Sequence, residues 1–348
     1  MKARNDHDTP VKFKGAPGSP YTRKMLALLR YRRIPYRFLI GAQAEALGLP
    51  KPKVELLPTF YLPDGQGGIE AVVDSTPLIR RFEQDYAGRS VVPPDPALAF
   101  IDALLEDYAD EWLTKAMFHY RWSYAADIAK AGAILPLWRN TAMAPETHQR
   151  MSQFFSERQI SRLYVVGSNA VTAAVIEASY LRFLDLFEAL LQQQGFVLGG
   201  RPGSADLGIY AQLTQLAKFD PTPMAVTLER APRVSAWVDL VDDLSGHPAT
   251  EDGWLSAADV RDRLGPLLAE VGRVYVPALL ANAQALAAGE ASWSTTIDGQ
   301  LWEQPSFPYQ GKCLQRLREA HAQLPESSRR EVAKILAGSG CEALLTEV

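Results

Sequence analysis

Val11-Lys-Phe-Lys14, then Gly15-Ala-Pro-Gly-Ser-Pro20, then the run from Tyr21 to Arg32 decide how this chain begins. The first four residues read as a short strand, and the glycines and prolines after them are turn chemistry. Between Tyr21 and Arg32, Met25, Leu26, Leu28 and Leu29 recur among basic residues, the pattern of a helix lying on a sheet. Arg23 and Lys24 fall on the solvated face in this reading. Tyr36-Arg-Phe-Leu-Ile40 is a second strand. Thr59-Phe-Tyr-Leu62 and Ala71-Val-Val73 are two more, joined through Pro63-Asp-Gly-Gln-Gly-Gly68, a strong hairpin signal. A helix then opens at Asp74-Ser-Thr-Pro77 and runs through Leu78, Ile79 and Phe82. The order strand, helix, strand, connection, strand, strand, helix describes a small mixed-sheet α/β unit.

Val92-Pro-Pro-Asp-Pro96 stops any helix and reads as a linker. Helical patterns follow over about 97–122, 148–164, 170–194, 204–217 and 232–244, so an all-helical domain succeeds the α/β one. From Gly246 onward a third stretch holds helices over Ala257 to Ala288, interrupted at Pro266 and Pro277, over Gln310 to Leu324, and from Ser327. The expected organisation is 10–90, α/β; 97–245, a helical bundle; and 246–348, a helical extension. No internal repeat is visible.

Composition narrows the partners. The chain has 348 residues, enough for about two domains, and 36 Lys and Arg against 40 Asp and Glu give a net charge of −4. Such a chain lacks the bulk positive charge that phosphate contacts need, so neither nucleic acid nor an anionic membrane is an expected partner. Met1 to Pro10 is polar, without the apolar core of a secretory signal. The greasiest stretch, Ala173 to Leu191, is broken by Glu177, Arg182, Asp185 and Glu188, as in a buried amphipathic helix. Two cysteines, Cys313 and Cys341, make neither a disulfide framework nor a zinc cluster, and both read as structural. The expected location is the cytoplasm.

Four short segments, in this order, resemble the glutathione transferase superfamily, with its thioredoxin-like N-terminal domain and all-helical second domain. Ser19-Pro-Tyr-Thr22, with Arg23, stands where Ser-type members place their catalytic serine and glutaredoxin-like folds place Cys-Pro-Tyr-Cys. Leu57-Pro58 resembles the family's cis-proline, whose preceding residue pairs its backbone with the cysteinyl part of glutathione. Asp74-Ser75 resembles the acidic–Ser pair that holds the γ-glutamyl group. Phe196 to Leu207 resembles the N-capping segment, with Asp206 at its usual position and Gly203 replacing the customary Ser or Thr cap. The resemblance spans residues 11 to about 244. It implies glutathione as co-substrate, Ser19 as the group stabilising its thiolate with Tyr21 in reserve, and a homodimer.

The physics suits those positions. A helix N-terminus presents unpaired N–H groups and partial positive charge, which favour a thiolate or carboxylate beside it. A serine hydroxyl there can donate to the sulfur and lower a thiol pKa from near 8.5. Ser19 equally fits a plain N-cap, as Asp74-Ser75 fits a plain helix start, and Pro58 fits a simple turn. The absence of cysteine at positions 19 and 22 argues against dithiol redox chemistry, which needs an attacking and a resolving thiolate.

For the second substrate, a small hydrophobic electrophile, Tyr108, Trp112, Phe118, Tyr120 and Trp122 offer an aromatic wall on the first helix of the second domain; interdomain core is the competing reading. Glu106, Asp110 and His119 lack the Glu-x-x-His of a di-iron helix, so no metal is expected. Trp293, Trp302, Phe307 and Tyr309 mark an aromatic loop that packs back on the body, roofing the pocket or altering the dimer contact. The expected function is a glutathione transferase-like enzyme. The alternatives are a non-catalytic ligand-binding or interaction protein of the same fold, as in the axon-connection and metaxin-like relatives, and a glutathione-dependent isomerase or dehalogenase.

Overall fold

A computed structural model describes residues 9–250 and 252–346; residues 1–8, most of the polar opening segment, lie outside the described residues. Four strands form one mixed sheet: β1 (Val11–Lys14), β2 (Tyr36–Leu39), β3 (Thr59–Pro63) and β4 (Ile69–Val72), in the order β2-β1-β3-β4. β1 runs parallel to β2 and antiparallel to β3, and β3 pairs antiparallel with β4. A parallel pair needs a crossover, and helix α1 (Pro20–Tyr31) supplies it. A short α2 (Gln43–Ala46) precedes β3, and α3 (Ser75–Asp85) follows β4. Phe13 stacks on Phe60 at 4.8 Å between centroids, and Phe82 of α3 meets Phe60 edge-on at 5.4 Å. The predicted hairpin forms as well: the Asp64 carboxylate accepts the N–H groups of Gln66 and Gly68.

After the proline-rich segment, Asp95 caps α4 (Pro96–Tyr108), its carboxylate accepting from the N–H groups of Ala97 and Leu98. A π-helical turn, Ala109–Leu113, joins α4 to α5 (Thr114–Ser123) without a break. Then come α6 (Ala125–Leu137), α7 (Pro145–Ile160), α8 (Ala173–Leu191), α9 (Ser204–Leu216), α10 (Pro221–Arg230) and α11 (Pro232–Val241). Sequence periodicity missed α6 and α10. Every residue of α9 is buried, and this helix packs against both α1 and α4. Its start is held as the sequence suggested. Asp206 accepts the N–H of Gly203 and, across the preceding loop, that of Val197, each at 2.8 Å.

The extension comprises α12 (Ala257–Ala288), strands β5 (Ser292–Ile297) and β6 (Gln300–Pro305), α13 (Pro308–Ala322) and α14 (Glu326–Leu336). Two expectations change here. The prolines at 266 and 277 do not interrupt α12, which runs through both. A proline costs a free helix one hydrogen bond and a displaced carbonyl, but Leu264, Leu267, Leu268, Val274, Val276 and Leu279 are buried on either side and hold the path. The stretch read as an aromatic loop contains a hairpin, turned by Asp298 and Gly299, both at positive φ. Its Trp302 is fully buried, 5.2 Å from Trp112 of the π turn, so the extension does pack back on the body. α12 is long and apolar enough to cross a membrane by composition, and more than half of its apolar window is buried within the protein.

Replacing Asp206 with alanine leaves two buried N–H groups without an acceptor. The expected loss is about 2–4 kcal/mol of stability, measured by chemical denaturation.

Candidate functional site

The site is built around the N-terminus of α1. Ser19 has extended backbone, and Pro20 occupies the first helical position. The Ser19 hydroxyl accepts from the Thr22 N–H at 3.3 Å and donates to the Leu57 carbonyl at 3.4 Å. The Leu57–Pro58 peptide is cis. Two of the segments singled out in the sequence therefore meet. Arg121, a buried residue of α5, supports the turn: it is held by both carboxylate oxygens of Asp220 and donates to the Gly18 carbonyl at 3.2 Å. Gly18 itself lies directly against Leu135 and Trp138 at the end of α6, where any β-carbon would come within 2.6 Å of both.

The Asp74-Ser75 pair opens α3. Asp74 sits at φ 80° and its carboxylate makes no cap bond to its own helix. It faces Arg316 of α13 instead, whose Nη1 donates to Oδ2 at 3.1 Å. Ser75 is 6% exposed, and its hydroxyl accepts from Lys24 Nζ at 3.3 Å.

Lys24 overturns the reading of α1 as having a solvated face at 23–24. Its ammonium is completely buried and donates to Glu106 Oε1 at 2.7 Å and to Asp110 Oδ2. The Thr76 hydroxyl also donates to Glu106, at 3.1 Å, and Arg80 lies 3.6 Å from the other oxygen of that carboxylate. Arg23 is half-buried, its Nε donating to the Pro17 carbonyl. The sequence of α1 alone carries no sign of this, because both carboxylates arrive from another domain. Burial would discharge Lys24, but Asp110 and Glu106 outweigh it and hold the ammonium charged, above its ordinary range. Burial raises Asp110 to about 7; Lys24 opposes that rise and Glu106 adds to it.

Around the π turn the polar groups continue inward. π turns recur at functional sites, and this one is buried on all sides. Asp107 accepts from the Tyr275 hydroxyl at 2.6 Å, and Glu111 accepts from Gln310 of α13 at 3.2 Å. Tyr21 donates to the Asp110 carbonyl at 2.8 Å, which commits its hydroxyl to the seam between the domains.

The aromatic wall is not where the sequence suggested. Tyr108 packs among Phe183 and Tyr275, and Trp112 donates to Ser179. Tyr120 lies between Tyr124 and Tyr180, and Trp122 meets Phe118 and Phe155. Tyr108, Trp112, Tyr120 and Trp122 are core, with Phe118 half-buried beside them. They were placed by helical spacing, which marks a shared face but not what covers it; here helices α8 and α12 and the hairpin do. His119 is occupied with Ser168 and Glu177, apart from Glu106 and Asp110. Sequence reasoning missed Leu135, Trp138, Arg121 and Arg316. None sits in a local motif, although Arg316 lies seven residues after the flagged Tyr309.

The family model for the glutathione S-transferase N-terminal domain matches residues 14–90, and that for the C-terminal domain matches residues 158–240. No curated protein matches the chain. Among solved structures, a glutathione S-transferase from Methylobacterium radiotolerans in complex with glutathione sulfonate is 16% identical, covering 71% of this chain and 95% of its own, at a TM-score of 0.40. A Tau class enzyme from mango is 18% identical over 72% and 95%, at 0.39. A glutathione transferase family member from Pseudomonas fluorescens with bound S-(propanoic acid)-glutathione is 19% identical over 69% and 98%, at 0.33.

The π-turn carboxyls carry a pH signature. Burial, reinforced by Asp107 and Asp110, pushes Glu111 up to about 8, and burial raises Asp107 to about 6. Both groups bind a proton more tightly folded than unfolded, so the stability they give at acid pH is lost as pH rises through those values. Lys115, lowered to about 8 by burial, acts in the opposite sense only above that pH. The thermal midpoint should therefore fall between about pH 6 and 8. Glu111→Gln should flatten the fall in melting scans across that range; an unchanged slope would show that Glu111 does not titrate there.

Proposed function

The chain belongs to the glutathione S-transferase superfamily, and we propose that it binds glutathione and activates the thiol for attack on a small hydrophobic electrophile. The observation that carries this reading is the Ser19 hydroxyl at the N-terminus of α1, within hydrogen-bond reach of the cis Leu57–Pro58 turn. The donor set fits an extended tripeptide with charged ends. The Leu57 backbone offers strand-like pairing, the first turn of α3 offers free N–H groups, and Asp74 offers a carboxylate to an ammonium. At the sulfur end, the Ser19 hydroxyl turns from the Leu57 carbonyl to the thiolate, while the α1 terminus adds its partial positive charge. Ser19 thus lowers a pKa and forms no covalent bond of its own. Tyr21 stays out of this step, since its hydroxyl is already spent on Asp110.

The electrophile rests against Leu135 and Trp138, half-buried apolar groups that border Gly18 next to Ser19. Trp138 is stacked obliquely on Phe219 at 4.9 Å, which fixes its ring. The transferred group, and whether the outcome is conjugation, isomerisation or dehalogenation, follow from what that wall accepts. The assembly that goes with this reading is a homodimer, and light scattering that reports a monomer removes it. A second reading, a binding protein without turnover, is favoured by one fact: the Ser19 hydroxyl already satisfies both a cap and a carbonyl.

Calorimetric titration with glutathione should show binding that Asp74→Ala and Ser75→Ala each weaken. Ser19→Ala should leave binding nearly intact while turnover with aryl or alkyl halides drops about 10- to 100-fold, the worth of one charge-assisted hydrogen bond. Turnover that survives Ser19→Ala refutes the serine role, and binding without any turnover in the native protein selects the second reading.

A further inference from the structure

We propose that Arg316, on α13 of the extension, binds the α-carboxylate of the γ-glutamyl group, so that a segment beyond the two transferase domains completes the glutathione site. This rests on the glutathione reading above. The starting observation is a contact between residues 242 positions apart, the Arg316–Asp74 ion pair at 3.1 Å. Asp74 does not cap its own helix, so its carboxylate is aimed at α13. The guanidinium carries five N–H donors, more than Asp74 engages, and its side chain is 46% exposed against 18% for Asp74. Nearly half of the Arg316 side chain is thus accessible beside Asp74.

The guanidinium is also held in place. It lies 5.8 Å from the centre of the Tyr309 ring on the same helix. α13 is pinned at its start by Gln310 on Glu111 and by Asn282, which exchanges two hydrogen bonds with the Phe307 backbone. An anion site and a cation site therefore stand side by side at the opening of α3, bridged by the Arg316–Asp74 pair. Their chemical complement is an α-amino acid head group, with its ammonium on Asp74 and its carboxylate on Arg316. A γ-glutamyl group presents that head; a plain peptide N-terminus presents only the ammonium.

The test is calorimetry on the full chain with two ligands: glutathione, and its analogue with 4-aminobutyrate in place of the γ-glutamyl residue, which lacks only the α-carboxylate. The native protein should bind glutathione at least about tenfold more tightly than the analogue, as expected for a hydrogen bond to a charged group. Arg316→Ala should erase that difference by weakening glutathione alone, and Arg316→Lys should restore part of it. Circular dichroism and melting scans establish that the variants are folded. If Arg316→Ala binds glutathione as well as the native protein does, the assignment is wrong. Tighter binding overturns it too, because the ion pair would then be an obstacle to the ligand. If the native protein binds neither ligand, the glutathione reading itself falls and takes the assignment with it.

Discussion

A buried ammonium joins the sheet-bearing N-terminal part to the helices that follow it. Lys24 projects from α1 into a space with no water contact and is shared by Glu106 and Asp110 of the following domain. Removing three charges from water is costly, and the arrangement survives because each charge faces an opposite one and because Ser75 and Thr76 add hydrogen bonds. Such a pair adds little net stability compared with a well-packed apolar seam, but losing one partner would strand a buried charge. The relative placement of α1, α3 and α4 follows from it. Ser19 begins the helix that carries Lys24, and Ser75 begins the helix whose first hydroxyl touches it. Both ends of the proposed ligand site thus share one electrostatic anchor.

The π turn next to this anchor shows the same economy of charge. Asp110 and Glu111 are buried and Asp107 is half-buried, and desolvation raises the pKa of each. Burial and the neighbouring carboxylates push these groups up together, Glu111 furthest of the three. Glu111 and Asp107 then turn toward the extension, meeting Gln310 and Tyr275. The added segment is thereby joined to the body by polar contacts as well as by the Trp112–Trp302 packing.

Much of this architecture was legible in the sequence where the signal is local. Turn residues, period-two alternation and helix starts marked β1 to β3, α1, α3 and the α9 cap, because each is set by neighbours within a few positions. The hairpin of the extension is also written locally, as Asp298-Gly299 between alternating residues. The rest depends on partners far along the chain. Lys24 looked solvated because Glu106 and Asp110 lie more than 80 residues away. Tyr108, Trp112 and Tyr120 looked like a pocket wall because nothing in their own helix reveals what covers it. Pro266 and Pro277 read as breaks because propensity describes an isolated helix, whereas α12 is held by the face it buries against the body.

Asp74 and Arg316 also differ in when they exist. At about 5–20 residues per second, a ribosome places some 12–50 seconds between the two. In that interval the sheet, α1 and α3 can already be assembled, and the carboxylate at the head of α3 stands without its countercharge. The ion pair forms only after the helical domain and the hairpin have passed through the exit tunnel. A chain that stops before residue 316 carries Asp74 without the partner that α13 supplies, so the pair marks passage of the ribosome beyond that point.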